Sequence, residues 1–564
     1  MEALDWLVIG VFFLALIGII VWVVRQKQND SADYFLGGRD ATWLAIGASI
    51  FASNIGSEHL IGLAGAGASS GMAMAHWEIQ GWMILILGWV FVPFYTRSMV
   101  YTMPEFLERR YNPQSRTILS VISLVSYVLT KVAVTVYAGG LVFQQVFGIK
   151  ELWGIDFFWI AAIGLVVLTA LYTIFGGMKS VLYTSVLQTP ILLLGSLIIL
   201  VLGFKELGGW DEMMRVCSAV TVNDYGDTMT NLIRSNDDAN FPWLGALIGS
   251  AIIGFWYWCT DQFIVQRVLS GKNEMEARRG TIFGAYLKLL PVFLFLIPGM
   301  IAFALHQKYI GAGGEGFLPM LANGTANADA AFPTLVAKLL PAGVKGLVVC
   351  GILAALMSSL ASLFNSSAML FTIDFYKRFK PETPEKKLVG IGQIATIVIV
   401  VLGILWIPIM RSVGDVLYTY LQDVQSVLAP GIAAAFLLGI CWKRTSAQGG
   451  MWGLISGMVI GLTRLGAKVY YSNAGEVADS TFKYLFYDMN WLFFCGWMFL
   501  FCIIVVIVVS LATEAPTAEK IQGLVFGTAT KEQKAATRAS WNHWDIIHTV
   551  IILSITAAFY WYFW

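Results

Sequence analysis

Hydrophobic residues in this chain occur in long runs that are separated by short polar segments. A run of about 20 apolar residues is long enough to cross the hydrocarbon core of a bilayer as a helix. The chain is therefore predicted to be an all-α polytopic membrane protein with about fourteen transmembrane helices. The predicted spans lie near residues 4–24, 41–73, 79–99, 118–148, 152–176, 179–203, 243–268, 276–306, 335–375, 387–411, 414–440, 447–470, 488–512 and 544–564.

The composition agrees with this prediction and limits the kinds of partner that the protein can be expected to bind. Of the 564 residues, 58% are hydrophobic and 13% are charged, and the mean hydropathy is +0.72. These values are typical of a protein whose main partner is the lipid bilayer. The formal net charge of +1 offers no broad basic surface, so no nucleic-acid partner is expected. The sequence contains no signal for an oligomeric state.

Lys and Arg collect on alternate loops, for example near residues 97–116, 272–279 and 377–387. By the positive-inside rule these loops face the cytoplasm. We therefore expect a multi-pass protein of the cell membrane, either the plasma membrane or a bacterial inner membrane. Both termini are expected on the extracellular or periplasmic side.

One predicted span has unusual chemistry. Residues 51–71 read FASNIGSEHLIGLAGAGASSG and include Asn54, Glu58 and His59 at membrane depth. Such groups are costly in a bilayer and usually face a cavity. Gly56 allows the helix to unwind, which is tolerated where the freed backbone lines a polar cavity. The stretch predicts a broken helix that holds a cation and a polar solute.

A second span with similar features follows the polar segment at 204–242. It reads GALIGSAIIGFWYWCTDQFIVQR and mixes small residues, aromatic residues and Asp261. Two interrupted helices in corresponding positions indicate inverted repeats that meet at a site near the membrane centre. The predicted organisation is an extra helix and cytoplasmic loop at 1–40, a five-helix repeat at 41–203, an outer loop at 204–242, a second repeat at 243–440, and extra helices at 441–564 with a cytoplasmic linker at 513–543.

Several motifs together resemble the sodium:solute symporter family, and most closely its sodium/glucose, sodium/galactose and sodium/myo-inositol cotransporters. They are FASNIGSEHLIGLAG, GGMKS at 176–180, WYWCTDQFIVQR at 256–267, YLKLLP at 286–291 and MSSLASLFNSS at 357–367. The resemblance covers nearly the whole chain. It implies a leucine-transporter-type fold, with inverted repeats of 5+5 helices whose first helices are broken, and transport by alternating access.

The resemblance implies one sodium ion as the coupling ion. Its ligands would be the backbone carbonyls of Ala52, Ile55 and Ala355 and the hydroxyls of Ser358 and Ser359. Neutral hard oxygens suit a hard monovalent cation that must later be released. The alternative is that the two serines only allow close helix packing.

A second cation position departs from the family pattern. Many relatives have an aspartate in a YTD run, whereas this chain reads Tyr183, Thr184 and Ser185. Ala361 also replaces a threonine that two-sodium relatives carry. We therefore expect one sodium per solute.

The resemblance also implies a site for a sugar or polyol. Carboxylate, ammonium, amide and imidazole groups can bracket ring hydroxyls, each of which is both donor and acceptor. Tyr257 would also be the inner gate, and Trp77 and Tyr418 are candidates for the outer gate. The implied substrate residues are Asn54, His59, Glu78, Tyr257, Trp258, Lys288 and Gln422.

Simpler structural roles stay open for these residues. Glu78 could be a solvated helix end, Lys288 could pair with a distant carboxylate, and His59 could be a packing residue, as could Tyr257 and Trp258. Beyond the substrate set, Asp261 and Arg267 are expected to pair, and Lys131 and Asp423 have no assigned partner. Gly254 stands where relatives carry asparagine or threonine, so we expect it to leave room for a larger ring.

The function predicted is sodium-coupled secondary active symport of a hexose of the glucose or galactose type. The first alternative is symport of myo-inositol. The second is a membrane sugar sensor or sugar-gated channel without obligatory coupling. An enzyme is not expected, because the sequence has no HExxH motif and no phosphate loop.

Overall fold

Helices form nearly the whole protein, because apolar segments inside a bilayer must satisfy their backbone groups internally. The computed structural model describes residues 1–26, 30–56, 58–321, 324–411, 417–473 and 478–564, with the backbone alone at 129–130, 145, 409–411, 417–421 and 473. Two short strands, Glu151–Leu152 and Ile155–Asp156, pair in an antiparallel hairpin between two helices.

The α-helices of the first half of the chain are Ala3–Val24, Ser31–Leu36, Trp43–Asn54, Ala64–Ser70, Ala75–Glu78, Gly81–Ile86, Val92–Ser98, Met103–Arg110, Pro113–Ser126, Ala133–Phe147, Phe157–Leu207, Trp210–Ser218, Trp243–Gly254, Gln262–Leu269 and Glu274–Lys288. Those of the second half are Ile297–Gly311, Ala331–Leu339, Val344–Met369, Lys377–Phe379, Glu385–Arg411, Leu417–Cys441, Ala447–Asn473, Thr481–Lys483, Trp491–Ala512, Ala518–Ile521, Lys531–Ala539 and His543–Tyr562.

Wider π-helical turns interrupt many of the long helices, and short 3₁₀ turns join others. Such π turns occur mostly as local bulges, often at functional sites. The π turns are Glu58–Leu63, Leu87–Phe91, Tyr127–Val132, Phe255–Thr260, Val292–Leu296, Leu370–Tyr376 and Tyr484–Asp488, and the 3₁₀ turns are Gly37–Arg39, Gly71–Met74 and Ala328–Ala330.

In the described part of the chain, ten helices are long and apolar enough to cross a membrane. Each of the predicted spans overlaps a helix in the described residues, and one of these helices holds two spans. The 51-residue helix Phe157–Leu207 contains two predicted spans and bends at Gly177, where φ is 53° and ψ is −147°. The prediction of a polytopic all-α membrane protein is therefore confirmed.

The first broken helix consists of Trp43–Asn54 and of the turns from Glu58 to Ser70. Between them Ile55 takes an extended conformation, with ψ of 108°. The carbonyls at the end of Trp43–Asn54, including that of Ala52, therefore have no following helical turn to pair with. The break lies where the sequence predicts it, next to Gly56.

The second broken helix consists of Trp243–Thr260 and Gln262–Leu269. Asp261 separates the two parts with an extended backbone (φ −76°, ψ 127°), and its side chain caps the second part at the amide of Phe263. The capping carboxylate satisfies an amide that a helix start leaves free. Both interrupted helices expected from the sequence are present.

The two broken helices lie inside the bundle, and other helices surround them. Helix Val344–Met369 packs against Phe157–Leu207 and against Trp43–Asn54. Outer helices expose large apolar side chains, such as Leu14 on Ala3–Val24, which is 71% exposed. A lipid environment accommodates such side chains, so the polar residues of the bundle interior stand out as the candidate site.

Candidate solute and sodium site

A cavity lies between the two broken helices and has a volume of about 60 Å³. That is room for on the order of five water molecules, so a hexose ring enters only when surrounding side chains or helices move apart. All seven residues of the expected substrate set line this cavity, although they come from positions as far apart as 54 and 422. The residues are Asn54, His59, Glu78, Tyr257, Trp258, Lys288 and Gln422.

A buried ion pair forms the polar centre of the wall. Lys288 Nζ lies 2.6 Å from Glu78 Oε2 and 3.1 Å from Asn54 Oδ1. The Asn54 amide nitrogen in turn donates to the Tyr257 hydroxyl at 3.1 Å. Glu78 is 1% exposed and Lys288 3% exposed, so Glu78 is no solvated helix end. The partner of Lys288 is this adjacent carboxylate.

Other polar atoms on the wall lack partners. Within the described residues, His59 Nδ1, Gln422 Oε1 and Trp77 Nε1 are buried without a hydrogen bond, while His59 Nε2 lies 3.3 Å from Glu78 Oε2. Buried polar groups in proteins are usually satisfied. Unpaired donors and acceptors around one cavity are suited to a ligand that carries several hydroxyls.

Aromatic side chains enclose the cavity. Tyr257 and Trp258 line it with their rings in an edge-on arrangement, centroids 5.0 Å apart. Trp77 also lines it and stacks on Trp491, with ring centroids 5.5 Å apart. The expected gate residues Tyr257 and Trp77 thus lie on the wall. The side chain of Tyr418, the other expected outer gate, falls outside the described residues.

Gly254 does not leave open space, so the expectation of room for a larger ring is wrong. A Cβ atom on Gly254 would lie 2.9 Å from Gln80 Cδ and closer still to Gln80 Oε1. Gln80 comes from the segment between helices Ala75–Glu78 and Gly81–Ile86. Its amide group fills the space beside Gly254.

The expected sodium ligands lie on two helices that pack together. Ala52 and Ile55 belong to the first break, while Ala355, Ser358 and Ser359 belong to Val344–Met369, and all are at most 2% exposed. Ser53, which lies between Ala52 and Ile55, has its Oγ 2.6 Å from that of Ser362, and this contact joins the same two helices. Ser359 lines the cavity. The freed carbonyls of the break and the serine hydroxyls provide the neutral oxygens that a sodium ion prefers.

Two intramembrane charges have partners that the sequence did not indicate. Lys131 Nζ lies 2.6 Å from Asp261 Oδ2, and the Tyr127 hydroxyl also donates to Asp261. The expected pairing of Asp261 with Arg267 is therefore wrong, since Arg267 donates to the carbonyl of Phe263 instead. Asp423 pairs with Lys468 in the helix Ala447–Asn473.

Sequence reasoning left several wall residues unassigned, and three of them carry an amide or an ammonium group. Gln80, Lys131 and Gln425 line the cavity beside the expected substrate set. Gln80 lies only two residues after Glu78, and this closeness in sequence was the one indication that it could line the site. The positions of Lys131 and Gln425 depend on how their helices are rotated, and no motif marks that rotation.

The fold with its two interrupted helices is of the leucine-transporter type. It matches the solved structure of a Na⁺-coupled sialic acid symporter in its substrate-bound outward-open state, with a TM-score of 0.73 and 22% identity. The match covers 92% of this chain and 99% of that one.

The profile of the sodium:solute symporter family matches residues 34–457. Sodium/myo-inositol cotransporter 2 of Mus musculus is 37% identical over 94% of this chain and 80% of its own length. Sodium/glucose cotransporter 4 of Danio rerio is 36% identical over 92% of this chain and 80% of its own length. The chain belongs to the sodium:solute symporter family and is a sodium-coupled transporter, not an enzyme.

Proposed function

We propose that this protein is a sodium-coupled symporter of a six-membered ring polyol, a hexose of the glucose or galactose type. The observation that carries the proposal is the hydrogen-bonded chain from Glu78 through Lys288 and Asn54 to Tyr257 on the wall of one buried cavity. Residues from four separate helical segments converge there. They present acceptors, donors and an aromatic face to the same small volume.

Ring hydroxyls fit this arrangement. Each hydroxyl can donate to Glu78 and accept from Lys288 or from an amide of Asn54 or Gln422. Buried polar groups left unpaired by an analogue without the matching hydroxyl would disfavour that analogue. A carboxylate solute would meet the Glu78 carboxylate, which repels it. The wall therefore favours a neutral polyol.

Myo-inositol is the second candidate solute. Several of the similar relatives are named sodium/myo-inositol cotransporters, including those of Mus musculus and Canis lupus familiaris. It has the same ring size as a hexose and carries a hydroxyl on every ring carbon. The same wall groups would bind it, so transport of labelled solutes must separate the two candidates.

Sodium would bind first at the break of the first helix and hold Asn54 and its neighbours in the binding arrangement. Coupling then means that the sodium-bound state has a higher affinity for the solute than the sodium-free state. By the same free energy, bound solute raises the affinity for sodium. We propose one sodium per solute, coordinated by Ala52, Ile55, Ala355, Ser358 and Ser359. An inward-negative potential of 100 mV adds about 2.3 kcal/mol per charge. For one sodium this corresponds to about fiftyfold accumulation of solute.

The test is uptake of labelled glucose, galactose and myo-inositol into proteoliposomes that contain the purified protein. An inward sodium gradient should drive accumulation above equilibrium, and an equal potassium gradient should not. The preferred label identifies the solute. Simple equilibration of the solute, or equal uptake in potassium, would replace the symporter proposal with a sugar-gated channel or sensor.

A further inference from the structure

Gln80 and Gly254 share one volume on the cavity wall. Both line the cavity, and both are buried, with Gln80 3% exposed. A Cβ atom at position 254 would lie 2.9 Å from Gln80 Cδ and 3.1 Å from Gln80 Nε2. Real Cβ atoms essentially never come within 3.0 Å of another heavy atom, so a side chain at position 254 would require the end of the Gln80 side chain to shift. Gln80 can take its position only because residue 254 has no side chain.

The Gln80 side chain is held in a fixed orientation. Its Nε2 donates to the backbone carbonyl of Ser250 at 2.8 Å, one helical turn before Gly254. Its Oε1 makes no hydrogen bond to another described residue. The backbone at Gln80 is non-helical (φ −82°, ψ 23°), because Gln80 lies between helices Ala75–Glu78 and Gly81–Ile86. From there the side chain reaches the second broken helix at Ser250.

The neighbours of Gln80 are the proposed substrate groups. Glu78 is two residues earlier, and Tyr257 is three residues after Gly254 on the facing helix. An amide oxygen on the cavity wall that has no hydrogen bond to another described residue can accept one from a ring hydroxyl, and an analogue without that hydroxyl loses the bond.

We propose that Gln80 is a specificity-determining residue, which accepts a hydrogen bond from one hydroxyl of the transported ring through Oε1, and that Gly254 is required to admit it. This inference rests on the proposed transport of a ring polyol. Residue 254 of the second broken helix is a glycine and has no side chain to offer the solute. Gln80, in the segment between helices Ala75–Glu78 and Gly81–Ile86, would make the contact instead.

The experiment measures sodium-driven uptake by the purified full-length protein in proteoliposomes. Labelled glucose and labelled myo-inositol are each competed with their monodeoxy analogues, which lack one hydroxyl at a time. In the unmodified protein, the analogue that lacks the hydroxyl bound by Gln80 should compete about tenfold more weakly than the parent solute. In Gln80→Leu, that analogue should compete as strongly as the parent solute. The other analogues should keep the same order of competing strength as in the unmodified protein.

The matched control is Gln393→Leu. Gln393 also donates its Nε2 to a backbone carbonyl, that of Ile174 at 3.1 Å, and it does not line the cavity. The Gln393→Leu variant should show the same order of competing strength among the analogues as the unmodified protein. Equal weakening of every analogue in Gln80→Leu, or no change in any, would overturn the inference and leave Gln80 a packing residue. If no polyol is taken up by the unmodified protein, the proposed function itself fails and this inference fails with it.

A double-variant cycle tests the shared volume independently. Gly254→Asn alone should reduce uptake, because the new side chain displaces the end of Gln80 from the position proposed to contact the solute. Gln80→Ala combined with Gly254→Asn should recover much of that loss, since the asparagine amide can then take the vacated place. Strictly additive effects of the two substitutions would contradict the shared volume.

Discussion

Lys131 and Asp261 form a buried ion pair at the break of the second broken helix, with Nζ 2.6 Å from Oδ2. Lys131 also lies within 4.7 Å of the ring centroid of Tyr257, the proposed inner gate. The pair therefore joins the helix that carries Lys131 to the point where the second helix unwinds. The break is held by a charge interaction as well as by the helix cap that Asp261 provides.

Asp261→Asn should destabilise the protein and reduce transport. The substitution leaves the Lys131 ammonium buried without its counter-charge, which costs on the order of 3–5 kcal/mol. We expect a clearly lower melting temperature in detergent and at least a tenfold loss of sodium-driven uptake. Asp479→Asn is the matched control, because Asp479 pairs with Lys483 at a site where its side chain is 95% exposed. An Asp261→Asn protein as stable and active as the unmodified one would refute this role.

Glu78→Gln should weaken solute binding far more than sodium binding. It removes the carboxylate that lies 2.6 Å from Lys288 Nζ and leaves a buried ammonium beside the solute. Loss of one member of a buried charged pair costs roughly 2–5 kcal/mol, so the KM for solute should rise on the order of a hundredfold. Concentration-dependent uptake measures it.

The control for this prediction is Glu212→Gln. Glu212 makes an ion pair with Arg215, three residues away, whose side chain is 70% exposed, and loss of this pair should not change the KM. A KM for Glu78→Gln within threefold of that of the unmodified protein would show that Glu78 does not contact the solute.

Ser359→Ala should raise the sodium concentration needed for half-maximal uptake. It deletes one of five neutral oxygens proposed around the ion, and we expect a shift of about tenfold. Ser367→Ala is the matched control, since Ser367 is fully buried on the same helix and has no hydrogen bond within the described residues. Equal sodium dependence in the two variants would place the ion elsewhere.

The ratio of charge to solute should be one. Ser185 stands where the family resemblance leads us to expect an aspartate at a second cation position, and its hydroxyl donates to the carbonyl of Val181 at 2.6 Å. The Ser185 hydroxyl also lies 3.3 Å from that of Ser358, a proposed ligand of the first sodium, and the Ser362 hydroxyl is paired with that of Ser53. Simultaneous measurement of current and labelled solute in proteoliposomes at a fixed potential gives the ratio. A value of two would require a second sodium site.

Gly177→Ala should impair folding of the long helix Phe157–Leu207. Gly177 has a positive φ of 53°, and a Cβ atom there would lie 2.8 Å from Tyr34 Cδ2 and closer still to the Tyr34 carbonyl oxygen. Strain of this kind costs about 1–3 kcal/mol before the collision is counted. Gly164→Ala, in the same helix with no atom within 4 Å of its Cβ position, should keep normal yield and melting temperature. Equal yields of the two variants would contradict the prediction.

The sequence by itself determined the membrane-spanning pattern and the two breaks, whereas the seven residues expected on the cavity wall came from the family resemblance. Hydropathy over 20 residues is a local property, and so is the cost of Asn54, Glu58 and His59 at membrane depth. The hydropathy of a segment and the cost of its polar residues can both be estimated without knowing which helices are neighbours. The motif resemblance added residues from distant helices, such as Lys288 and Gln422, whose meeting no local pattern shows.

The tertiary structure alone decided which side chains face one another. Asp261 pairs with Lys131 and not with Arg267, and the space beside Gly254 is filled by Gln80. These outcomes depend on the rotation and depth of each helix, which are set by the sum of many packing contacts across the bundle. A difference of one residue in rotation turns a side chain by about 100°, so local sequence cannot choose between such partners.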